Sequence, residues 1–166
     1  MSTKYSTSNT FDMRGLASAL YSIAIAAWVG SLLAIGLIAA PVLFTQLADR
    51  GMAGNLAGAM FTVTAWVGIG CGSYLILFVL FAKGWRAIQS GVFWMVLLML
   101  GLTVAGHFGV HPILAQLQAD ALPRRVMEST LRDRFTTWHG VSSALYLVQT
   151  LLGIALVILQ ERGKGR

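Results

Sequence analysis

His107, His111 and His139 are the residues whose type and spacing offer chemistry in this sequence. His107 and His111 stand four apart, so a helix carries both on one face, a separation that suits two ligands to one zinc or copper ion. His139, in a following helix, supplies a third imidazole to the same scheme. Haem b sets a different requirement, because its two axial ligands approach from opposite sides of the ring; His139 would then pair with His107 or His111, not with both. The simpler reading, which the residues favour, is that His111 and His139 hydrogen-bond at the level of lipid headgroups while His107 packs between helices. Pro112 follows His111 directly and no acid lies nearby, and both facts count against a metal.

No further catalytic group stands beside them. The chain has no Gly-x-Ser-x-Gly, no His-Glu-x-x-His, no phosphate-cradling glycine loop and no carboxylate within a long apolar segment, so the expectation is a protein that is not an enzyme. Cys71 is the single cysteine and reads as a small packing residue. Met95 and Met99 are the only methionines at helical spacing, away from the histidines, where filling packing gaps is the natural role.

The elements that carry these residues follow from the distribution of charge. Of 166 residues 57% are apolar and 11% charged, against about 25% charged in an ordinary soluble domain. Asp, Glu, Lys and Arg are absent from residues 15–48, 51–82, 87–119 and 135–160. A membrane helix needs about 20 predominantly apolar residues and a central charge costs roughly 2.5 to 3.5 kcal/mol, so each stretch holds one span and none holds two. The expected fold is an all-α, integral membrane four-helix bundle. Its membrane domain covers 15–161, with spans over about 16–44, 56–82, 91–115 and 137–160. Residues 1–14 read as a polar cytoplasmic tail and 162–166 as a basic one. The first apolar run is too long for the core of a signal peptide and reads as a retained helix.

Seven Lys and Arg fall on the side of the two termini and the second loop, against five on the other side. Positive residues concentrate in the cytoplasm, which places both termini there in a bacterial inner membrane. The sequence pI of about 10.1 then implies contact with anionic lipid in the bilayer; no aromatic-interleaved basic patch is present to bind nucleic acid.

Small residues four apart mark helix faces that let a neighbour's backbone come close. The second span offers Gly54 and Gly58, then Gly68 and Gly72. The first offers Ala26, Gly30 and Ala34, the third Ala105 and Gly109, and the fourth Gly140 and Ala144. Pro41 is expected to break or bend the last turn of the first span. Trp28 and Trp66 fall near mid-span, where they would line a cavity. Between the third and fourth spans, Met127, Leu131, Phe135 and Trp138 recur at helical spacing, with Glu128 and Arg132 as an i,i+4 pair on another face. The fourth helix is thus expected to begin at Pro123 and the third to overshoot. Together they form an outer helical hairpin about 15 Å tall at 1.5 Å rise per residue.

Two blocks carry a family likeness. Trp28-Val29-Gly30 through Ala40-Pro41-Val42-Leu43-Phe44, with Ala53 to Phe61 beyond it, resembles the first half of the transmembrane protein 205-like family, whose bacterial members are catalogued as a domain of unknown function. Phe135-Thr136-Thr137-Trp138-His139-Gly140-Val141-Ser142-Ser143 is similar to that family's Phe-x-x-x-His-Gly-x-Ser-Ser signature, and His111-Pro112 matches the end of its third span. The resemblance implies a four-span bundle. It singles out Pro41, Phe44, Pro112, Phe135, His139, Gly140, Ser142 and Ser143 as pattern positions, and implies no settled activity. His107 and His111 lie outside the pattern.

The functional expectation is therefore a non-enzymatic membrane protein that self-associates, as a homo-oligomer, or joins other membrane subunits. The alternative is a haem, copper or zinc protein built on His139, His111 and His107. A third reading, small-molecule transport, rests on the cavity expected at Trp28 and Trp66.

Overall fold

The computed structural model describes the backbone of residues 13–121 and 129–164, without the side chains of 13–14, 118–121, 129–132, 135 and 161–164. The expected tail up to residue 12, the helix start at Pro123, the Glu128–Arg132 pair and the basic tail's side chains lie outside the described residues.

Every described element is helical. The α-helices are α1 (Met13–Leu33), α2 (Ala40–Gln46), α3 (Arg50–Lys83), α4 (Gly91–Val104), α5 (His111–Ala121) and α6 (Ser129–Lys164). A π-helical segment, Ala34–Ala39, joins α1 to α2 without a break, and a second, Ala105–Val110, joins α4 to α5. The result is four rods. Each contains a stretch long and apolar enough to cross a membrane: Gly15–Gln46, Arg50–Gln89, Gly91–Leu117 and Thr136–Gln160. Four such helices agree in number with the four charge gaps, and the chain is a multi-pass membrane protein in architecture.

Short connections force consecutive rods to run antiparallel, and the packing closes into a ring: α1 on α3, α3 on α4, α4 on α6 and α6 back on α1. One end of the bundle therefore collects α2, the start of α3, α5 and the start of α6, and with them Pro41 and Pro112. We call it the proline end.

The turns are built by single residues. Asp49 caps α3, its Oδ1 accepting from the N–H groups of Gly51 at 2.8 Å and Met52 at 3.3 Å. At the far end of α3, Gly84 takes a φ of 54°, which an L side chain rarely adopts, and a 3-10 turn (Gly84–Gln89) leads into α4. The Trp94 indole N–H donates to the carbonyl of Ile88 and ties that turn to α4. Trp85 projects from it, 87% exposed, as expected of an interfacial ring.

Pro41 does not break its helix. Instead the backbone loosens before it: the Ala40 N–H donates to the carbonyl of Ile35, five residues back, and Pro41 sits in the first turn of α2. A first-turn proline lacks only an N–H that has no α-helical partner there, so the rod stays continuous. The second proline repeats the device. The His111 N–H donates to Gly106, again five back, and Pro112 follows.

The core lies between the rods and is filled by Trp28, Ile25, Leu75, Val96, Met99 and Leu156, with Cys71 and Met95 packed against it. Gly68 and Gly72 act as the groove expected of them. A Cβ at Gly68 would stand 2.5 Å from the indole Nε1 of Trp28, and one at Gly72 would stand 2.9 Å from its Cη2. The other small-residue faces behave differently. Gly30, Gly109 and Gly140 have nothing within 4 Å of a Cβ position, and Ala26, Ala34, Ala105 and Ala144 are exposed. Within one chain these faces are not the contact surfaces they were expected to be, because the large side chains of Trp28, Val29 and Tyr146 hold the rods together on other faces.

Candidate functional site

The polar residues of the bundle gather toward the proline end. His107 lies in the second π segment and His111 opens α5, so both project from one rod, and their ring centroids are 5.9 Å apart. Both are half-buried. His107 stands edge-on to Trp66 at 5.7 Å and to Phe108 at 4.8 Å. Across the rod boundary, the Nε2 of His111 lies 3.4 Å from the Oγ1 of Thr62, and Gly58 leaves room for it, a Cβ there standing 3.7 Å away.

The Thr62 hydroxyl lies 3.0 Å from the carbonyl of Gly58 and 3.4 Å from the His111 Nε2, so its single proton serves one of the two, and the tautomer of His111 decides which.

His139 occupies an exposed position on α6. Among the described residues no three His, Cys, Asp or Glu side chains are grouped closely enough to hold a metal ion together. The structure brings His107 and His111 into one cluster with Thr62 and Trp66.

The remaining pattern positions are spread over the same end. Pro41 and Pro112 are exposed, each two residues past the end of a π segment, and Phe44 is exposed in α2. Gly140 faces open space, Ser143 is exposed and Ser142 half-buried. The side chain of Phe135 lies outside the described residues.

The two tryptophans do not share a cavity. Trp28 is fully buried and fills space, whereas Trp66 is 57% exposed and stands edge-on to His107 and Phe108 of the second π segment. A groove lies between the first rod and α3, lined by Ser31, Ala34, Ile35, Met60, Val63, Thr64 and Val67, with a volume of about 240 Å³. Its hydroxyls are turned back onto their own helices, Ser31 donating to the carbonyl of Trp28 and Thr64 to that of Met60. The groove thus presents an apolar wall.

Sequence reasoning missed a second polar set. Gln149 in α6, 5% exposed, donates its Nε2 to Thr103 Oγ1 at 2.7 Å, and Tyr146, one turn away, donates its hydroxyl to the carbonyl of Leu32. The signal was present, since Gln149 is the one amide in the middle of a charge-free stretch, and an apolar surrounding obliges such a group to find a partner.

The family model of a domain of unknown function, DUF4149, matches residues 23–123, and the chain belongs to that family. The match takes in both π segments, Pro41, Pro112 and the His107–His111 cluster, and ends before the Phe135–Ser143 block. No curated protein and no solved structure matches the chain.

Proposed function

We propose that this protein is a non-enzymatic, multi-pass component of the bacterial inner membrane that assembles with further copies of itself, alone or within a larger membrane complex. The observation that carries the reading is the set of unfilled small-residue faces. Gly30 on the first rod, Gly101 and Gly109 on the third and Gly140 on the fourth all face open space, with Ala26, Ala34, Ala105 and Ala144 continuing the same stripes. Where lipid is as apolar as the helices, close backbone approach across such stripes is a main source of helix association. The bundle's own packing leaves them free for a second copy.

Two finer features belong to the same reading. Both termini lie in the cytoplasm, supported by the excess of Lys and Arg on their side. The proline end then faces outward, and α5 with the start of α6, which pack on each other and carry the exposed pair Asp133 and Arg134, forms a short hairpin above the membrane. The likeness to the transmembrane protein 205-like family fits this arrangement through Pro41, Phe44, Pro112 and the His139-Gly140-Val141-Ser142-Ser143 run.

Cross-linking of the full chain in native membranes, across a range of expression levels, tests the proposal. Dimers or higher species that persist at low expression are expected, and Gly30→Ile with Gly109→Ile should reduce them at least several-fold while leaving helical content unchanged. Monomer alone at every level would overturn it.

A further inference from the structure

Among the described residues, two side-chain atoms in the heart of the bundle are buried without a hydrogen-bond partner: the indole Nε1 of Trp28 and the amide Oε1 of Gln149. One is a donor and the other an acceptor. Trp28 is fully buried and Gln149 5% exposed, so neither atom reaches lipid or bulk water. Orphaned polar groups in such surroundings are costly, and native interiors rarely keep them.

The chemical identity of the orphaned Gln149 atom is fixed by its neighbour. Thr103 donates its hydroxyl proton to the carbonyl of Met99 at 2.9 Å, which leaves its Oγ1 able only to accept. The amide of Gln149 must therefore turn its NH₂ to Thr103 and its oxygen away. Rotating the amide would set two acceptors of Gln149 and Thr103 against each other, so the unpaired atom remains the oxygen.

Both atoms belong to one layer of the bundle. The Trp28 ring covers Gly68 and Gly72 and reaches Leu100, with Nε1 at the Gly68 side, toward the proline end. Thr103, to which Gln149 is bonded, lies one turn from Leu100 in the same direction. One turn along α6 from Gln149, Gly153 packs on Val29 and Met99. Thr64 stands one turn from Gly68, 5% exposed, its proton spent on Met60 and its lone pairs still available.

We propose that this layer holds a bound water molecule that accepts from the Trp28 N–H and donates to the Gln149 oxygen. Water is the smallest molecule able to do both at once, and buried waters are characteristically held by two to four otherwise unpaired groups. The water joins the first and fourth rods at this level, as the Gln160 Nε2 donating to Ser22 Oγ at 2.9 Å joins them further along.

The test is a water-to-protein rotating-frame Overhauser experiment on the full chain in detergent micelles, with the five tryptophan indoles labelled with ¹⁵N. The Trp28 indole resonance is assigned by its loss in Trp28→Phe. A cross-relaxation peak to water at that N–H is expected, as is its disappearance in Gln149→Leu with the other four indole resonances unmoved. Gln149→Met serves in its place if the leucine variant does not fold. No water peak in the parent protein overturns the proposal, as does a peak of chemical-exchange sign, which marks an indole open to bulk solvent. A peak that survives replacement of Gln149 also overturns it.

Discussion

The hydroxyl of Tyr146 in α6 donates to the carbonyl of Leu32 in α1 at 2.5 Å, and its ring lies where a side chain at Gly36 would be. The ring is held from the other side by Phe61 of α3, edge-on at 5.1 Å. Gly36 lies in the π segment that precedes Pro41, so the loosened turn, the missing side chain and the tyrosine form one joint between the first and last rods.

That joint should respond differently to its two halves. Tyr146→Phe keeps the packing and removes one hydrogen bond within an apolar medium, at a cost of about 0.6 kcal/mol. Gly36→Ala drives a methyl group into the ring and should cost about 1–3 kcal/mol. Unfolding in a detergent titration checks both, and Gly36→Ala combined with Tyr146→Ala should recover part of the loss, because the clash has then been removed.

Glycines of the same spacing should differ by what they face. Gly68→Ala meets the Trp28 indole and should destabilise by about 1–3 kcal/mol, since the indole is enclosed and has nowhere to move. Gly30→Ala meets open space within the chain and should leave the monomer's stability unchanged or slightly raised, alanine being the better helix former. Thermal unfolding of the two variants side by side in mild detergent makes the comparison.

Asp49→Ala should weaken the start of α3 by about 0.5–2 kcal/mol, because Gly51 and Met52 lose the acceptor for their N–H groups. Hydrogen exchange at those two amides is the direct readout. Asp49→Asn or Asp49→Ser should restore most of the protection, since either side chain retains an oxygen acceptor.

The histidines should prove dispensable for metal content. His111 already has Thr62 as a partner at 3.4 Å, and no group of three metal-binding side chains occurs among the described residues. Elemental analysis of protein purified in mild detergent should find iron, copper and zinc well below one per chain, unchanged in the triple His107→Ala, His111→Ala, His139→Ala protein. About one metal per chain, lost in the triple variant, would return the three imidazoles to a binding role.

The sequence alone determined that there are four long apolar rods, because a membrane span is set by length and by the exclusion of charge, and both are local properties of the chain. It also revealed the Gly68–Gly72 groove as a place of close approach. Which glycines receive a neighbour was decided only by the tertiary structure: rotation of each rod about its axis turned Gly68 toward Trp28 and Gly36 toward Tyr146, and turned Gly30, Gly109 and Gly140 outward. Spacing is the same in both sets, and rotation is a balance of contacts summed over all four rods. The same balance brought Thr62 to His111 and Thr103 to Gln149, pairs separated by 49 and 46 residues, which no local pattern in the chain encodes.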